Sequence, residues 1–244
     1  MRTDSLRINE KRFLRNLAEL GQIGRLPESE GGGLDRRPFS PAERAARDYF
    51  VQQAKSANLT VVTDEAANLS AKLWGKRPSA PTLLIGSHLD TVPNGGPYDG
   101  ALGVVAALEL LRTVCEANIV LPVHLEAIAF TDEEGRFGDF FGSRTLVGAH
   151  TSSSIESFLK RAAAYPQDLT AMSSAVPGGL TPEAIANGRR DPANIAGFIE
   201  LHIEQGPRLE EAGVSMGVVK DVFGFRSMRI DFHGRRDHAG TTPL

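Results

Sequence analysis

Apolar positions in residues 9–20 recur with helical spacing, at Phe13, Leu14, Leu17 and Leu20, and the pattern stops at Gly21. The glycine-rich stretch 30–34 reads as a loop. Ser40-Pro41-Ala42-Glu43 then supplies a capping serine, a first-turn proline and a glutamate able to reach back, which predicts a helix over 41–57. Three short β-like runs follow at 60–63, 69–73 and 82–85, the last apolar on both faces as a central strand of a covered sheet requires. Leu102, Val105, Ala106, Leu108, Leu111 and Val114 predict a helix over 101–117, and 123–130 reads as another strand. Strand, loop, helix and strand together form the crossover unit of an α/β sheet.

Further along, 142–147 and 154–164 carry helical spacing, while 167–181 reads as a polar surface passage with glycine and proline. A buried strand is expected over 195–203 and a shorter one over 214–219. The pattern then changes. Residues 227–233 alternate polar with apolar, the mark of a strand with one wet face, so a second domain is expected over 221–244 after a first domain over 1–220. The sequence stops at Thr241-Thr242-Pro243-Leu244, a cap and first-turn proline with no helix behind them, which is expected of a fragment of a longer chain.

Composition narrows the functional classes. At 41% hydrophobic and 23% charged residues, the 244-residue chain has the balance of a soluble globular protein. A formal net charge of -3 leaves no basic field to recruit nucleic acid. The single cysteine excludes an internal disulfide framework, and charges occupy the N-terminus where a secretory signal has its apolar stretch, so a cytoplasmic location is expected. No apolar run approaches the roughly 20 residues of a membrane span.

Candidate chemistry gathers where the predicted strands end. The segment GSHLDTVPNGGPYDG, residues 86–100, brings His88 and Asp90 on one face of an extended stretch, with Asp99 at the start of the next helix. Asp132-Glu133-Glu134 follows the strand ending at Phe130, and His202, with Glu204 and Gln205 beyond it, follows the strand begun near residue 195. Taken singly, His88 reads equally well as a satisfied core histidine, and the Glu133-Glu134 pair as a solvated turn. In an open α/β sheet, however, the strand ends share one edge. Carboxylates and imidazoles crowded there repel and desolvate one another unless cations lie between them. Imidazole with carboxylate, and no thiolate, suits zinc, manganese or cobalt.

The strings GSHLDTVPNGGPYDGALGVVAALE, FTDEEGRFG with GSRTLVG, ELHIEQGPRLE and GRRDHAGTTPL together resemble the successive motifs of dinuclear zinc amidohydrolases related to carboxypeptidases and aminoacylases. The branch resembled is that of N-carbamoyl-L-amino-acid hydrolase, β-ureidopropionase and allantoate amidohydrolase. The resemblance implies a three-layer α/β/α zinc-peptidase-like catalytic domain with a mixed, mostly parallel sheet, and the start of an α+β lid and dimerisation domain. It implies two divalent ions, with His88 and His202 on one, Glu134 on the other, Asp99 bridging, and Asp90 orienting His88. Glu133 matches the family's general base. His238 resembles the histidine that polarises the scissile carbonyl, often across a homodimer interface, and Gln205 resembles a substrate-side residue. His202 stands where peptidase relatives have a carboxylate, which favours small ureido substrates over peptides. By the same resemblance the Asp99–Gly100 peptide is expected to be cis.

The implied reaction is hydrolysis of a linear amide or ureido bond in N-carbamoyl amino acids or allantoate-like acids. An aminoacylase or dipeptidase, and a metal-dependent binding protein without catalysis, are the alternatives. Relatives continue into a further metal-binding histidine and an arginine for the substrate carboxylate, both beyond residue 244, so the isolated chain is expected to be a crippled enzyme.

Overall fold

The structure is a computed structural model that describes residues 6–222, 224, 228, 230–231, 233–238 and 240–241. The chain forms two compact units, Met1–Ile203 and Glu204–Leu244.

Helix α1 (Glu10–Leu20) starts where Asn9 accepts the Arg12 N–H, and α2 (Pro41–Ser56) where Ser40 accepts the Glu43 N–H with Pro41 at the first helical position. Glu43 does reach back, but to the Phe39 N–H at 3.0 Å, and its other carboxylate oxygen pairs with Arg47. Strands β1 (Thr60–Thr63) and β2 (Leu69–Leu73) form an antiparallel pair. They lead to β3 (Thr82–His88), α3 (Ala101–Glu116) and β4 (His124–Phe130), the crossover unit read from the sequence. Helices α4 (Phe141–Val147), α5 (Ser152–Ala162), α6 (Pro166–Ala175) and α7 (Pro182–Asn187) precede the short strand β5 (Ile195–Ile199).

The sheet is mixed, in the order β1-β2-β4-β3-β5. β2 runs antiparallel to β4, while β3 pairs in parallel with both β4 and β5. One face is covered by α1, α2 and α3, whose Leu17, Leu20, Phe50, Leu108 and Leu111 pack on Leu69, Ile85 and Leu125. On the other face Leu146 of α4 joins Leu84, Ile128 and Phe130. A satellite core built on Phe39, Phe137, Phe141 and Phe158 carries α5 to α7. The Arg12 guanidinium ties α1 to α3 through Glu109 and Glu116, at 2.7 and 2.6 Å.

Several expectations need correction. Strand β3 runs on to His88, so Gly86 lies inside the ladder opposite Ile128 and not in a loop. A Cβ at Gly86 would collide with the Ile128 carbonyl, which explains a glycine in the middle of a central strand. The passage 167–181 contains α6, initiated by Pro166 and anchored by the buried Met172. Strand β5 stops at Ile199 and is not buried: it is an edge strand, with Phe198 and Ile199 45% and 55% exposed. The 214–219 stretch forms no strand; Met216, Val218 and Val219 are exposed, and β-propensity without a sheet to pack on leaves a chain unpaired. Of the strand expected over 227–233, Ser227, Arg229 and Phe232 lie outside the described residues, and the remaining positions carry none.

The Asp99–Gly100 peptide is trans. Gly100 makes the reversal into α3 with φ of 64°, a region open to glycine.

The second unit holds α8 (Arg208–Ala212), whose first N–H groups, from Arg208 and Leu209, donate to the Glu204 carboxylate at 2.9 and 2.8 Å. Among the described residues no helix is long and apolar enough to cross a membrane.

Two substitutions test this packing. Phe50→Ala removes a side chain only 1% exposed and is expected to lower unfolding stability by about 3–5 kcal/mol in urea titration; a loss below about 1 kcal/mol contradicts the core assignment. Gly86→Ala forces β3 from β4 and is expected to cost about 3 kcal/mol in the same assay, whereas neutrality would show that the two strands are not so closely apposed.

Candidate metal centre

His88 closes β3, where parallel pairing sets it opposite Phe130 at the end of β4. Its side chain is 1% exposed. Nδ1 lies 3.0 Å from the main-chain carbonyl of Asp90; since a carbonyl only accepts, Nδ1 carries the proton and Nε2 is left to face the cluster. Nε2 lies 3.6 Å from Asp99 Oδ1 and 3.5 Å from Glu133 Oε2, and it is buried without a hydrogen-bond partner.

His202, three residues past the end of β5, donates through Nδ1 to the Ile203 carbonyl at 2.8 Å and places Nε2 3.0 Å from Asp99 Oδ1. Two overlapping sets result. Ligand atoms of His88, Asp99 and His202 lie within 4.8 Å of one another, as do those of His88, Glu133 and Glu134. His88 is common to both, whereas the resemblance gives the shared role to Asp99.

Asp90 links the two loops, though not chiefly as expected. Its carbonyl, more than its carboxylate at 3.7 Å, orients His88; carboxylate Oδ2 accepts the Glu134 N–H at 3.1 Å. Asp132 does for the second loop what the sequence did not reveal. With φ of 50°, it turns its carboxylate onto the N–H groups of Arg136, Phe137 and Gly138, at 2.8, 2.9 and 2.8 Å. That clasp shapes the turn from which Glu133 and Glu134 project. The available signal was an aspartate ahead of Gly135, a side chain that bonds to main chain in turns. Glu200 was also missed: it accepts from Ser87 Oγ, and its charge acts on Glu133.

The electrostatics of the cluster ask for positive charge. Burial opposes charging of the His88 imidazole, but Asp99, Asp90 and Glu133 outweigh it and push its pKa up to about 10. Burial raises Glu133 and Glu134 despite the attraction of His88, and their acidic neighbours raise them further. Burial and Asp90 bring Asp132 up to about 7 against its three N–H donors. An unpartnered buried nitrogen facing carboxylates, with two imidazoles and three carboxylates as donors, fits a divalent cation of the zinc, manganese or cobalt type. A proton at His88 Nε2 is the smaller cation that answers the same field.

All of these groups belong to the first unit. Gln205 and His238 belong to the second, where Gln205 has φ of 57° and His238 Nδ1 accepts the Gly240 N–H at 3.0 Å.

Comparison with known proteins bears on the same residues. Residues 84–242 match the model of peptidase family M20/M25/M40. An N-carbamoyl-L-amino acid amidohydrolase of Geobacillus stearothermophilus is 39% identical over 97% of this chain and 56% of its own length. Allantoate deiminase 1 of Glycine max is 34% identical over 93% of this chain and 47% of its own. The crystal structure of a hydantoinase/carbamoylase family amidase from Burkholderia ambifaria superposes with a TM-score of 0.71 at 36% identity, covering 86% of this chain and 49% of that one. The chain thus spans about half the length of the curated relatives it matches. A family match across most of the chain, over the residues that build the cluster, means that the protein belongs to peptidase family M20/M25/M40.

Proposed function

We propose that this chain carries the metal-binding part of an amidohydrolase that cleaves linear C–N bonds of N-carbamoyl amino acids or allantoate-like ureido acids. The observation that carries the proposal is the convergence of His88, Asp99, His202, Glu133 and Glu134 at one sheet edge, with His88 Nε2 buried and unpartnered. The substrate class draws support from the names of the relatives, an N-carbamoyl-L-amino acid amidohydrolase and an allantoate deiminase.

In this reading His88, Asp99 and His202 hold one cation, the three protein ligands usual at a catalytic zinc. By the resemblance Glu134 would hold a second cation shared with Asp99, although the group that the structure puts in both ligand sets is His88. When bound, the cations supply Lewis acidity toward a carbonyl and bring the pKa of a water near neutrality. Glu133 would be the carboxylate that accepts the proton of an attacking water and returns it to the departing nitrogen. Burial raises its pKa above the ordinary carboxylate value, and the attraction of His88 opposes this. Asp90 and Asp132 move no proton; they fix the main chain from which the ligands extend. From the resemblance, His238 polarises the scissile carbonyl and Gln205 faces the substrate, with a homodimer formed through the second domain, over 221–244, and a cytoplasmic setting.

His88→Ala is expected to weaken zinc or cobalt binding by the purified chain at least about 100-fold in calorimetric titration, since it removes the ligand common to both sets. An unchanged dissociation constant would place the cation elsewhere. In the longer enzyme that this reading implies, Glu133→Gln is expected to slow ammonia release from a ureido acid by about 100-fold or more with cation stoichiometry intact. Undiminished turnover by that variant would remove Glu133 from the mechanism.

A further inference from the structure

The first metal-bearing loop does not hold its shape alone. Residues 33–36 run alongside 91–95 and bond to them at successive points. Gly33 N–H donates to Asn94 Oδ1 at 2.8 Å. Leu34 and Gly95 exchange both main-chain bonds, at 2.9 and 2.8 Å. Arg36 N–H donates to Thr91 Oγ1 at 2.9 Å, and Thr91 N–H donates to the Arg36 carbonyl at 3.1 Å. These strap residues lie before residue 84, outside the segment matched by the family model.

Beneath the strap the Arg36 side chain is fully buried. Nε donates to the Leu89 carbonyl at 2.7 Å, and Nη1 to the carbonyls of Leu20 and Ile23 at the end of α1, at 3.1 and 3.3 Å. Burying a guanidinium is costly, and here part of that cost is offset by three main-chain carbonyls, of Leu89, Leu20 and Ile23, that it satisfies. What a guanidinium alone supplies is a rigid fork that joins α1 to the strand exit and sets positive charge behind Asp90. The held residues, Leu89 and Thr91, flank Asp90, whose carbonyl orients His88 and whose carboxylate receives the Glu134 N–H.

We propose that Arg36, with the strap of residues 33–36, is a positioning element of the metal centre, fixing Leu89–Thr91 so that Asp90 serves His88 and Glu134 at once. The proposal rests on reading the cluster as a cation site, and its test separates the two. Cobalt is titrated into the apo chain by calorimetry and visible absorption, and amide hydrogen exchange is followed at Thr91 and Glu134.

Arg36→Met is expected to weaken cobalt binding about 10-fold and alter the cobalt spectrum. It should also speed exchange at the Glu134 amide, a group that Arg36 does not touch. Arg36→Lys, which keeps the charge but lacks the fork, should recover only part of this. Thr91→Val, which preserves the core, should shift all three readouts in the same direction and decides the matter if Arg36→Met does not fold. Val114→Ala, a destabilising change in the core near the end of α3 remote from Gly100, should leave affinity and spectrum unmoved. Wild-type affinity, spectrum and Glu134 exchange in the folded Arg36→Met and Thr91→Val chains would overturn the proposal. If the unsubstituted chain binds no cobalt, the cation reading fails, and Glu134 exchange alone still decides whether Arg36 positions the loop.

Discussion

The parallel pairing of β3 with β4 is the constraint from which the site follows. Their register runs without a slip from Thr82 opposite His124 to His88 opposite Phe130, so both strands end at the same level. The loop bearing Asp90 and Asp99 and the turn bearing Glu133 and Glu134 therefore leave the sheet side by side. Because β5 pairs in parallel on the other side of β3, His202 emerges at the same rim. Side chains far apart in sequence meet because three strands point one way, and Gly86 lets the first two lie close enough to do so.

Such convergence works against folding. Burial first, and the neighbouring carboxylates after it, raise the proton affinity of Asp132, Glu133 and Glu134 at this edge. The fold offsets part of that with main-chain dipoles: three N–H groups converge on Asp132, and the Glu134 N–H on Asp90. What remains is a concentrated negative field that a cation relieves, so occupancy and stability are coupled in the usual manner of mass action.

Much of this was legible in the sequence because its signals are local. The cap at Ser40, the proline at 41 and the apolar period of α3 each specify an element within a few residues, and His88, Asp99, Glu133, Glu134 and His202 stand out as ionisable groups at strand ends. What escaped depends on partners distant in the chain. Whether 195–203 is buried depends on what lies beside the sheet, and its apolar composition says nothing of that. Arg36 looks like one basic residue in a polar loop until Leu20, Ile23 and Leu89 are brought around it. The α6 helix was hidden because a polar solvent face masks the single buried methionine that anchors it.

The exposed margin of β5 has a consequence for the chain in solution. A strand whose outer main-chain groups have no neighbouring strand among the described residues, and which displays Phe198 and Ile199, is a template for any extended segment that drifts past. A well-packed core on the α1–α3 face does nothing to cover such a margin.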